Sequence, residues 1–501
     1  PSPISSSPLC LIPVPPPTKN LGLGLGRRRL LYSRSRPIAM VIAGEPEPEE
    51  VAVMFSDRLR AEEETVVFPG WVMLDRIGRT HCDGDLGAAR EAVNGNKTAV
   101  QVEMDSGHSF YVSFTLAPPP QGASYLDLHW PLEGSAKSVP PYKQPAYPFV
   151  RAIDKDLVLF HISIPSLPHR NFVPPDLFVY NAAGHPPSVQ QLPLYRRRSF
   201  LRVNFTTGIL RRQNGSYIVS DLNVYPKKEG TGNNSMCAEL CVFNSNTRAW
   251  SFFSKDAPQP QDQSNGQFPT LWSTDHVLAF DGRFLCWVDY FSGVLLSDFS
   301  NLRSRVLHFV PFPGEGEYPA KVRVQRCFPD RFRSVSISNG KMCFVHIDND
   351  FHERIHTGSQ GQQPRKKITI WTLNMMDGNS RFKWEPHRVI YLDGLLPNPH
   401  RLPEFPIISA DDPDVLCCLL RKEEFHGEAS MVMIDMEHAR LRSSTPYINR
   451  QSVDEKAHKN EFLDMPLLPT VFSKHIERPT GMPWDNHKLA TRPSKKLKSA
   501  M

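Results

Sequence analysis

Short apolar runs separated by turn residues recur along most of the chain. The run 277–280 is followed by Asp281-Gly282 and then by a second apolar run at 284–288. This order predicts a β-hairpin, because an Asp-Gly pair adopts the tight turn that joins two antiparallel strands. Further strands are predicted at 293–299 and 306–312. The four strands together form one unit of an antiparallel sheet.

The unit recurs. Units begin near residues 156, 216, 277, 335 and 407, with a further hairpin turn at Asn339-Gly340, and an earlier unit has strands at 71–74, 110–116 and 125–130. One small twisted sheet cannot bury both of its faces, whereas sheets stacked radially bury the faces of their neighbours. The pattern therefore predicts an all-β protein, a β-propeller of six blades with three to four antiparallel strands each. The alternative is a pair of β-sandwich or barrel domains.

The repeat sets the expected domain organisation. We expect a propeller-like domain over 68–447, a flexible N-terminal segment over 1–67 and an irregular basic C-terminal tail over 448–501. Residues 1–44 contain Arg and Ser but no acid, which fits either an organelle transit peptide or translation from upstream of a true start at Met40. One isolated helix is predicted at 51–64, and Lys495-Lys496-Leu497-Lys498 has the character of a nuclear-import signal.

Composition narrows the classes of function. The 47 prolines argue against a mainly helical protein. The net charge of +6 lies entirely in residues 1–44, which hold six basic residues, so 52 basic residues face 52 acidic ones in the remainder. This balance argues against nucleic-acid binding, and the absence of a run of ~18 apolar residues argues against a membrane-spanning helix.

The nine cysteines show no dense spacing pattern, and no secretory signal precedes them. We therefore expect reduced thiols in an intracellular protein of the cytoplasm or nucleus, or of an organelle if residues 1–44 are a transit peptide. Cys417 and Cys418 are neighbours in a predicted strand. Their side chains should point to opposite faces of the sheet.

Several stretches carry a family pattern: Trp71-Val72-Met73-Leu74-Asp75, Val288-Asp289 with Gly293 and Asp298, 306–313, Arg333-Ser334-Val335 with Gly340 and Phe344-Val345, and Ile370-Trp371-Thr372-Leu373 with Trp384. Together they resemble the grass-rich plant family called domain of unknown function 1618, over most of residues 68–436. The family is also similar to plant F-box-associated and kelch-type propellers, although no F-box helix set is recognisable before residue 70. The resemblance implies a plant protein with a propeller-like β fold, no assigned activity and no catalytic residues to carry over. Trp371 and Trp384 are expected to pack between blades.

One motif indicates a different chemistry. His352-Glu353-Arg354-Ile355-His356 matches the pattern in which two His one helical turn apart bind zinc and the Glu between them acts as a general base. Thr357-Gly358-Ser359 follows at once and would end such a helix, and the motif falls between two predicted strands. We therefore expect a solvated loop with incidental metal affinity from His346, His352 and His356. His352, Glu353 and His356 remain the candidates for a metal site.

The sequence thus predicts a non-enzymatic protein-interaction module that acts as a monomer, with an unidentified protein partner and with no cofactor, membrane or nucleic acid. Loops collected on a rigid propeller are suited to recognition. Short basic clusters at Arg196–Arg198, Arg211-Arg212 and 365–367 are interpreted as solvated loop charge. The alternative is a hydrolase, either zinc-dependent through residues 352–356 or glycosidase-like through paired carboxylates.

Overall fold

A computed structural model describes residues 68–81, 84–105, 107–131, 147–163, 176–194, 206–227, 235–256, 268–300, 306–314, 328–348, 366–376, 381–396, 401–421, 429–447 and 467–476. Across these residues the chain forms six four-stranded sheets and one two-stranded pair. We call the six sheets blades 1 to 6, in chain order.

The strands of the first three blades are as follows. Blade 1 contains β2 (Arg79–His81), β3 (Val100–Glu103), β4 (Ser109–Thr115) and β5 (Tyr125–His129), preceded by β1 (Val72–Leu74) and with helix α1 (Leu86–Ala92) between β2 and β3. Blade 2 contains β6 (Tyr147–Asp154), β7 (Leu157–Ser163), β8 (Leu177–Asn181) and β9 (Ser188–Gln191). Blade 3 contains β10 (Thr207–Arg211), β11 (Tyr217–Lys227), β12 (Ser235–Asn244) and β13 (Ala249–Asp256).

The other three blades follow the same plan. Blade 4 contains β14 (His276–Phe280), β15 (Phe284–Asp289), β16 (Gly293–Asp298) and β17 (Leu307–Pro311). Blade 5 contains β18 (Arg333–Ser338), β19 (Lys341–Ile347), β20 (Lys367–Met376) and β21 (Arg381–Tyr391), after a 3-10 turn at Pro329–Arg331. Blade 6 contains β22 (Glu404–Ile408), β23 (Val415–Arg421), β24 (Ala429–Asp435) and β25 (Arg440–Tyr447). Blades 2 to 6 are antiparallel meanders in sequence order, whereas blade 1 has the order β2-β5-β4-β3 with β2 parallel to β5.

The hydrophobic core is divided among the spaces between neighbouring blades. Alternate side chains of each strand enter opposite spaces: Phe344 of β19 packs with blade 4, and Val345 packs with blade 6. In the described residues six large clusters join blades 1 and 2, 2 and 3, 3 and 4, 4 and 5, 5 and 6, and 6 and 1. Six sheets that share six cores in cyclic order form a closed six-bladed β-propeller.

The ring closes through two distant segments. β26 (Leu468–Thr470) pairs antiparallel with β1, and the 3-10 turn Phe472–His475 follows it. Phe472 is fully buried in the core between blades 1 and 2, and Ser473 Oγ donates to the carbonyl of Pro69 at 2.7 Å. Residues 467–476, which the sequence analysis included in an irregular tail, therefore contribute a strand and a turn to the propeller core.

The predicted units agree with the blades except in blades 1, 2 and 3. In blade 1 the predicted strand 71–74 is β1, which pairs with β26 instead, and β2 and β3 were not predicted. The hairpin turns at Asp281-Gly282 and Asn339-Gly340 are confirmed, with positive φ at all four residues. Blades 2 and 3 begin at Tyr147 and Thr207, whereas the predicted units begin near 156 and 216 and so miss the first strand of each. Pro148 and Arg151 interrupt the apolar pattern of β6, and β10 is short and contains Gly208.

Candidate functional site at the propeller axis

The first strand of each meander lies innermost, and these strands bring charged side chains to the axis. Arg76, between β1 and β2, is fully buried. Its Nη1 donates to the carbonyl of Arg151 on β6 at 3.1 Å, and its Nη2 donates to Nδ1 of His276 on β14 at 2.7 Å. Blades 1 and 4 lie opposite each other in a ring of six, so the Arg76 side chain reaches across the ring from the segment before blade 1 to blade 4.

Two Arg–His pairs flank Arg76 on opposite sides of the ring. In blade 2, Arg151 Nε donates to Nδ1 of His161 at 3.1 Å. In blade 5, Arg333 Nε donates to Nδ1 of His346 at 3.2 Å. In both blades the Arg lies on the innermost strand and the His on the next strand, so the imidazole orients the guanidinium toward the axis.

Burial controls the charges of these groups. It lowers the pKa of Arg76 and Arg151 to about 10 and that of Arg333 to about 9. It also lowers the pKa of His161, His276 and His346 well below 6.5, and the neighbouring guanidinium groups lower these values further. At neutral pH the arginines are charged and the histidines are neutral hydrogen-bond acceptors.

A partly enclosed cavity lies beside Arg76, between blades 4, 5 and 6 and the closing segment. It encloses about 20 Å³, which is room for about one water molecule. The polar lining comprises Arg76, His276, Tyr290, Asp330, Arg333, Ser334 and Ser336, and the apolar lining comprises Val335, Phe405, Pro406, Ile407, Leu467, Leu468 and Pro469. The cavity is therefore amphipathic. We call it the axial cavity.

Two hydroxyl groups of the axial cavity have no hydrogen-bond partner among the described residues: Ser334 Oγ and Ser336 Oγ, both buried on β18. Ser338, next on the same face of β18, does have a partner and donates to the carbonyl of Ser409 at 2.6 Å. Blades 5 and 6 are therefore in direct contact at one end of this face. The cavity occupies the other end.

Of the residues that the sequence suggests for metal binding, only His346 lies in the described part of the chain. His352, Glu353 and His356 lie outside the described residues, so the zinc hypothesis remains a prediction. His346 is described, and its ring contacts Arg333 and lies 3.7 Å from Asp348 Oδ1. Among the described residues no group of three or more His, Cys, Asp and Glu side chains is positioned to hold a metal ion.

The prediction for Arg211 is wrong, because this residue is buried rather than solvated. Its Nε donates to Asp156 Oδ1 at 2.8 Å and its Nη1 to the carbonyl of Gly215 at 2.6 Å, so a buried carboxylate neutralises its charge. Arg196–Arg198 lie outside the described residues.

Other predictions about packing are confirmed. Trp371 and Trp384 pack between blades 4 and 5. Cys417 and Cys418 enter the cores on opposite sides of blade 6. Every cysteine in the described part of the chain is a buried free thiol.

Sequence reasoning did not find Arg76, Arg151, His276 and Arg333. A sequence signal exists for three of them: Arg151, His276 and Arg333 each lie in an apolar run that forms the first strand of a blade, as in Tyr147–Asp154. Such a run normally predicts a core strand, and a single Arg within it indicates a side chain directed at the axis.

The described part of the chain contains no helix of the length and hydrophobicity needed to cross a bilayer. No curated protein matches the sequence.

Solved structures similar to the chain come from proteins of different kinds. The β-propeller domain of the trilobed protease from Pyrococcus furiosus is 10% identical, with 62% of this chain and 77% of that chain covered and a TM-score of 0.27. The WD40 domain of SCAP from fission yeast is 10% identical, with 77% and 89% covered and a TM-score of 0.26. The NanB sialidase from Streptococcus pneumoniae is 10% identical, with 68% and 75% covered and a TM-score of 0.28. The six-bladed architecture follows from the sheets and cores above, independently of these likenesses.

One family model matches part of the sequence. Residues 287–417, from β15 to β23, match the family described as "Protein of unknown function (DUF1618)". This region of the chain is therefore similar to that family.

Proposed function

We propose that this chain is a non-enzymatic protein-interaction module whose binding centre is the surface around the opening of the axial cavity. The observation that carries the proposal is the convergence of blades 1, 4, 5 and 6 and the closing segment on one partly enclosed amphipathic cavity. Concave sites that combine an apolar lining with a few convergent polar groups are the usual places for recognition.

The polar groups of this centre are held in place before any partner arrives. Arg333 Nη1 donates to the carbonyl of Tyr290 at 2.7 Å, across blades 5 and 4, and Arg76 is fixed by blades 2 and 4. A side chain fixed in this way loses little conformational entropy on binding. The geometry therefore favours recognition of a defined chemical group over adhesion to a surface.

The proposal extends to the setting of the protein. We propose a plant protein that acts as a monomer in the cytoplasm or nucleus, with an N-terminal segment over 1–67, a propeller core that starts at 68, and a basic C-terminal tail. The resemblance of the sequence supports the plant origin, the buried free thiols support a reducing compartment, and the balanced charge after residue 44 supports a protein rather than a nucleic-acid partner.

The test compares partner capture by the full chain and two Ser→Tyr variants. Ser334 is half-buried, so Ser334→Tyr places a ring at the edge of the axial cavity, whereas Ser251→Tyr places the same ring on the exposed surface of β13. Plant proteins retained by each tagged chain are identified by mass spectrometry, and the purified partner is then titrated by calorimetry. We expect one stoichiometric protein that binds the wild-type chain and Ser251→Tyr equally and binds Ser334→Tyr at least about tenfold more weakly.

Thermal unfolding of both variants shows whether they are folded. If no protein is retained beyond what an unrelated tagged propeller retains, the interaction function is wrong. If a partner binds Ser334→Tyr as tightly as the wild-type chain, the surface around the opening of the axial cavity is not the binding centre.

A further inference from the structure

We propose that the axial cavity binds a single water molecule, which the hydroxyl groups of Ser334 and Ser336 hold as an internal part of the fold. The cavity has a volume of about 20 Å³, and a site of about 10–15 Å³ is enough for one water. The interior is too small for an organic ligand. The proposal goes beyond the proposed function, because the water is bound whether or not a partner covers the opening of the cavity.

The lining of the cavity is polar enough to hold a water. Empty cavities in proteins are apolar, whereas a buried water typically makes about three hydrogen bonds to polar groups. Here the lining includes the guanidinium groups of Arg76 and Arg333, the carboxylate of Asp330 and two serine hydroxyls. A guanidinium only donates, an ionised carboxylate only accepts, and a hydroxyl does both. Water also donates and accepts, so it matches this mixed lining.

The two serine hydroxyls indicate where in the cavity the water lies. Ser334 Oγ and Ser336 Oγ are buried and have no hydrogen-bond partner among the described residues. A buried hydroxyl without a partner costs free energy, so such groups are normally bonded to protein atoms or to ordered water. A water placed between the two side chains gives both hydroxyls a partner.

The geometry of the strand allows one water to reach both hydroxyls. Ser334 and Ser336 are two residues apart on the same face of β18, so their Cα atoms are about 7 Å apart. Rotation about each Cα–Cβ bond can turn the two hydroxyls toward each other. An oxygen atom midway between them then lies about 2.8 Å from both, which is the length of a hydrogen bond.

The same face of β18 shows why the protein does not itself supply the partner. Ser338 donates to the carbonyl of Ser409, which follows β22 of blade 6, at 2.6 Å. At the other end of the face, the wall that blade 6 contributes consists of Phe405, Pro406 and Ile407. Their side chains offer no hydrogen bond, so the serine hydroxyls beside them depend on water.

The direct test is a crystal structure of the full chain at a resolution that shows ordered water. We expect one fully occupied water within about 2.6–3.2 Å of both Ser334 Oγ and Ser336 Oγ. A cavity without density between the two hydroxyls would overturn the proposal.

The stabilities of Ser→Ala variants test the same water in solution. Replacing a hydroxyl that is bonded to a water removes a hydrogen bond, whereas removal of a buried hydroxyl without a partner is neutral or stabilising. Ser334→Ala and Ser336→Ala should therefore each raise the equilibrium constant of unfolding about fivefold, measured with denaturant. The double variant should raise it by less than the product of the two effects, because loss of the water after one change leaves the second hydroxyl no hydrogen bond to lose.

Ser297→Ala is the matched control. Ser297 Oγ on β16 is also buried without a partner among the described residues, but Ser297 does not line the axial cavity. Its replacement should leave the unfolding constant unchanged or lower it slightly. If Ser334→Ala and Ser336→Ala behave as this control does, the cavity is dry and the proposal is wrong.

Discussion

Single buried histidines support the arginines at the axis of this protein. His161 illustrates the arrangement: it is 6% exposed, and its Nδ1 accepts from Arg151 Nε. Arg151 also donates to Thr207 Oγ1 at 3.4 Å, and Thr207 donates to Asp221 Oδ1 at 3.3 Å. An imidazole in this position must stay neutral, because a proton on Nδ1 would remove the acceptor and place a second cation beside the guanidinium.

This requirement predicts a pH dependence with a defined sign. The pKa of His161 is lowered in the folded protein, so below about pH 6.5 the unfolded chain binds more protons than the folded chain. The free energy of unfolding therefore decreases as the pH is lowered. His161→Gln keeps an oxygen acceptor for Arg151 and cannot be protonated. Between pH 7.5 and 5 the variant should lose about 2 kcal/mol less stability than the wild-type chain, measured by denaturant unfolding.

Asp221 also titrates near His161. The test therefore compares the change in the free energy of unfolding between His161→Gln and the wild-type chain. Burial raises the pKa of Asp221 to about 6. The stabilisation that results is fully present below pH 3.8 and is lost as the pH rises through 6. This contribution is the same in both proteins. His387→Gln, at an exposed position of β21, is the control and should keep the wild-type slope. Equal slopes for His161→Gln and the wild-type chain would contradict a neutral, buried His161.

At the scale of the element, the closest contacts between blades depend on small residues of the innermost strands. Gly208 of β10 faces blade 4, where an added Cβ would lie 2.4 Å from Cγ1 of Val277 and 3.1 Å from Cδ2 of Leu285. Both neighbours are buried in the core between blades 3 and 4. Val277 is β-branched and has little freedom to move away.

Gly208→Ala should therefore lower the free energy of unfolding by about 1–3 kcal/mol. Gly122→Ala is the matched control, because its Cβ would meet only Ala117 Cβ at an ordinary 3.6 Å, and it should change stability little or raise it slightly. Adding Val277→Ala to Gly208→Ala restores space, so the two changes should be non-additive in a double-mutant cycle. Simple additivity would show that the strands are not in close contact.

The elements also show what the sequence could and could not predict. Alternation of apolar residues and the two hairpin turns located blades 4 and 5 nearly strand by strand. The same reasoning missed β2, β3, β6 and β10. In β6 and β10 the cause is that Pro148, Arg151 and Gly208 occupy positions where the pattern of a strand predicts apolar residues. Arg151 and Gly208 make contacts with other blades, which local periodicity does not report: Arg151 donates to Thr207 of blade 3, and Gly208 lies against Val277 of blade 4.

At the scale of the whole molecule, the least predictable feature is the closure of the ring. Val72 pairs with Thr470 across nearly the whole length of the chain, and the three residues of β26 are too short to show alternation. The candidate site depends on this closure, because Leu467 and Leu468 form part of the wall of the axial cavity. Six blades predicted from a repeat imply a ring, but they do not show which segments close it.

The closure predicts a sharp difference between two truncations. A chain that ends after Ile476 keeps β26 and the turn that follows it, and should unfold at the wild-type temperature. A chain that ends after residue 466 also loses Leu468, Phe472 and Ile476 from the core between blades 1 and 2. Because removal of one buried Phe side chain alone costs about 3–5 kcal/mol of stability, the shorter chain should have a much lower melting temperature and a less cooperative transition in calorimetry.

A synthetic peptide of residues 467–476 should restore part of the difference in melting temperature. Equal melting temperatures of the two truncated chains would show that β26 does not hold the ring closed.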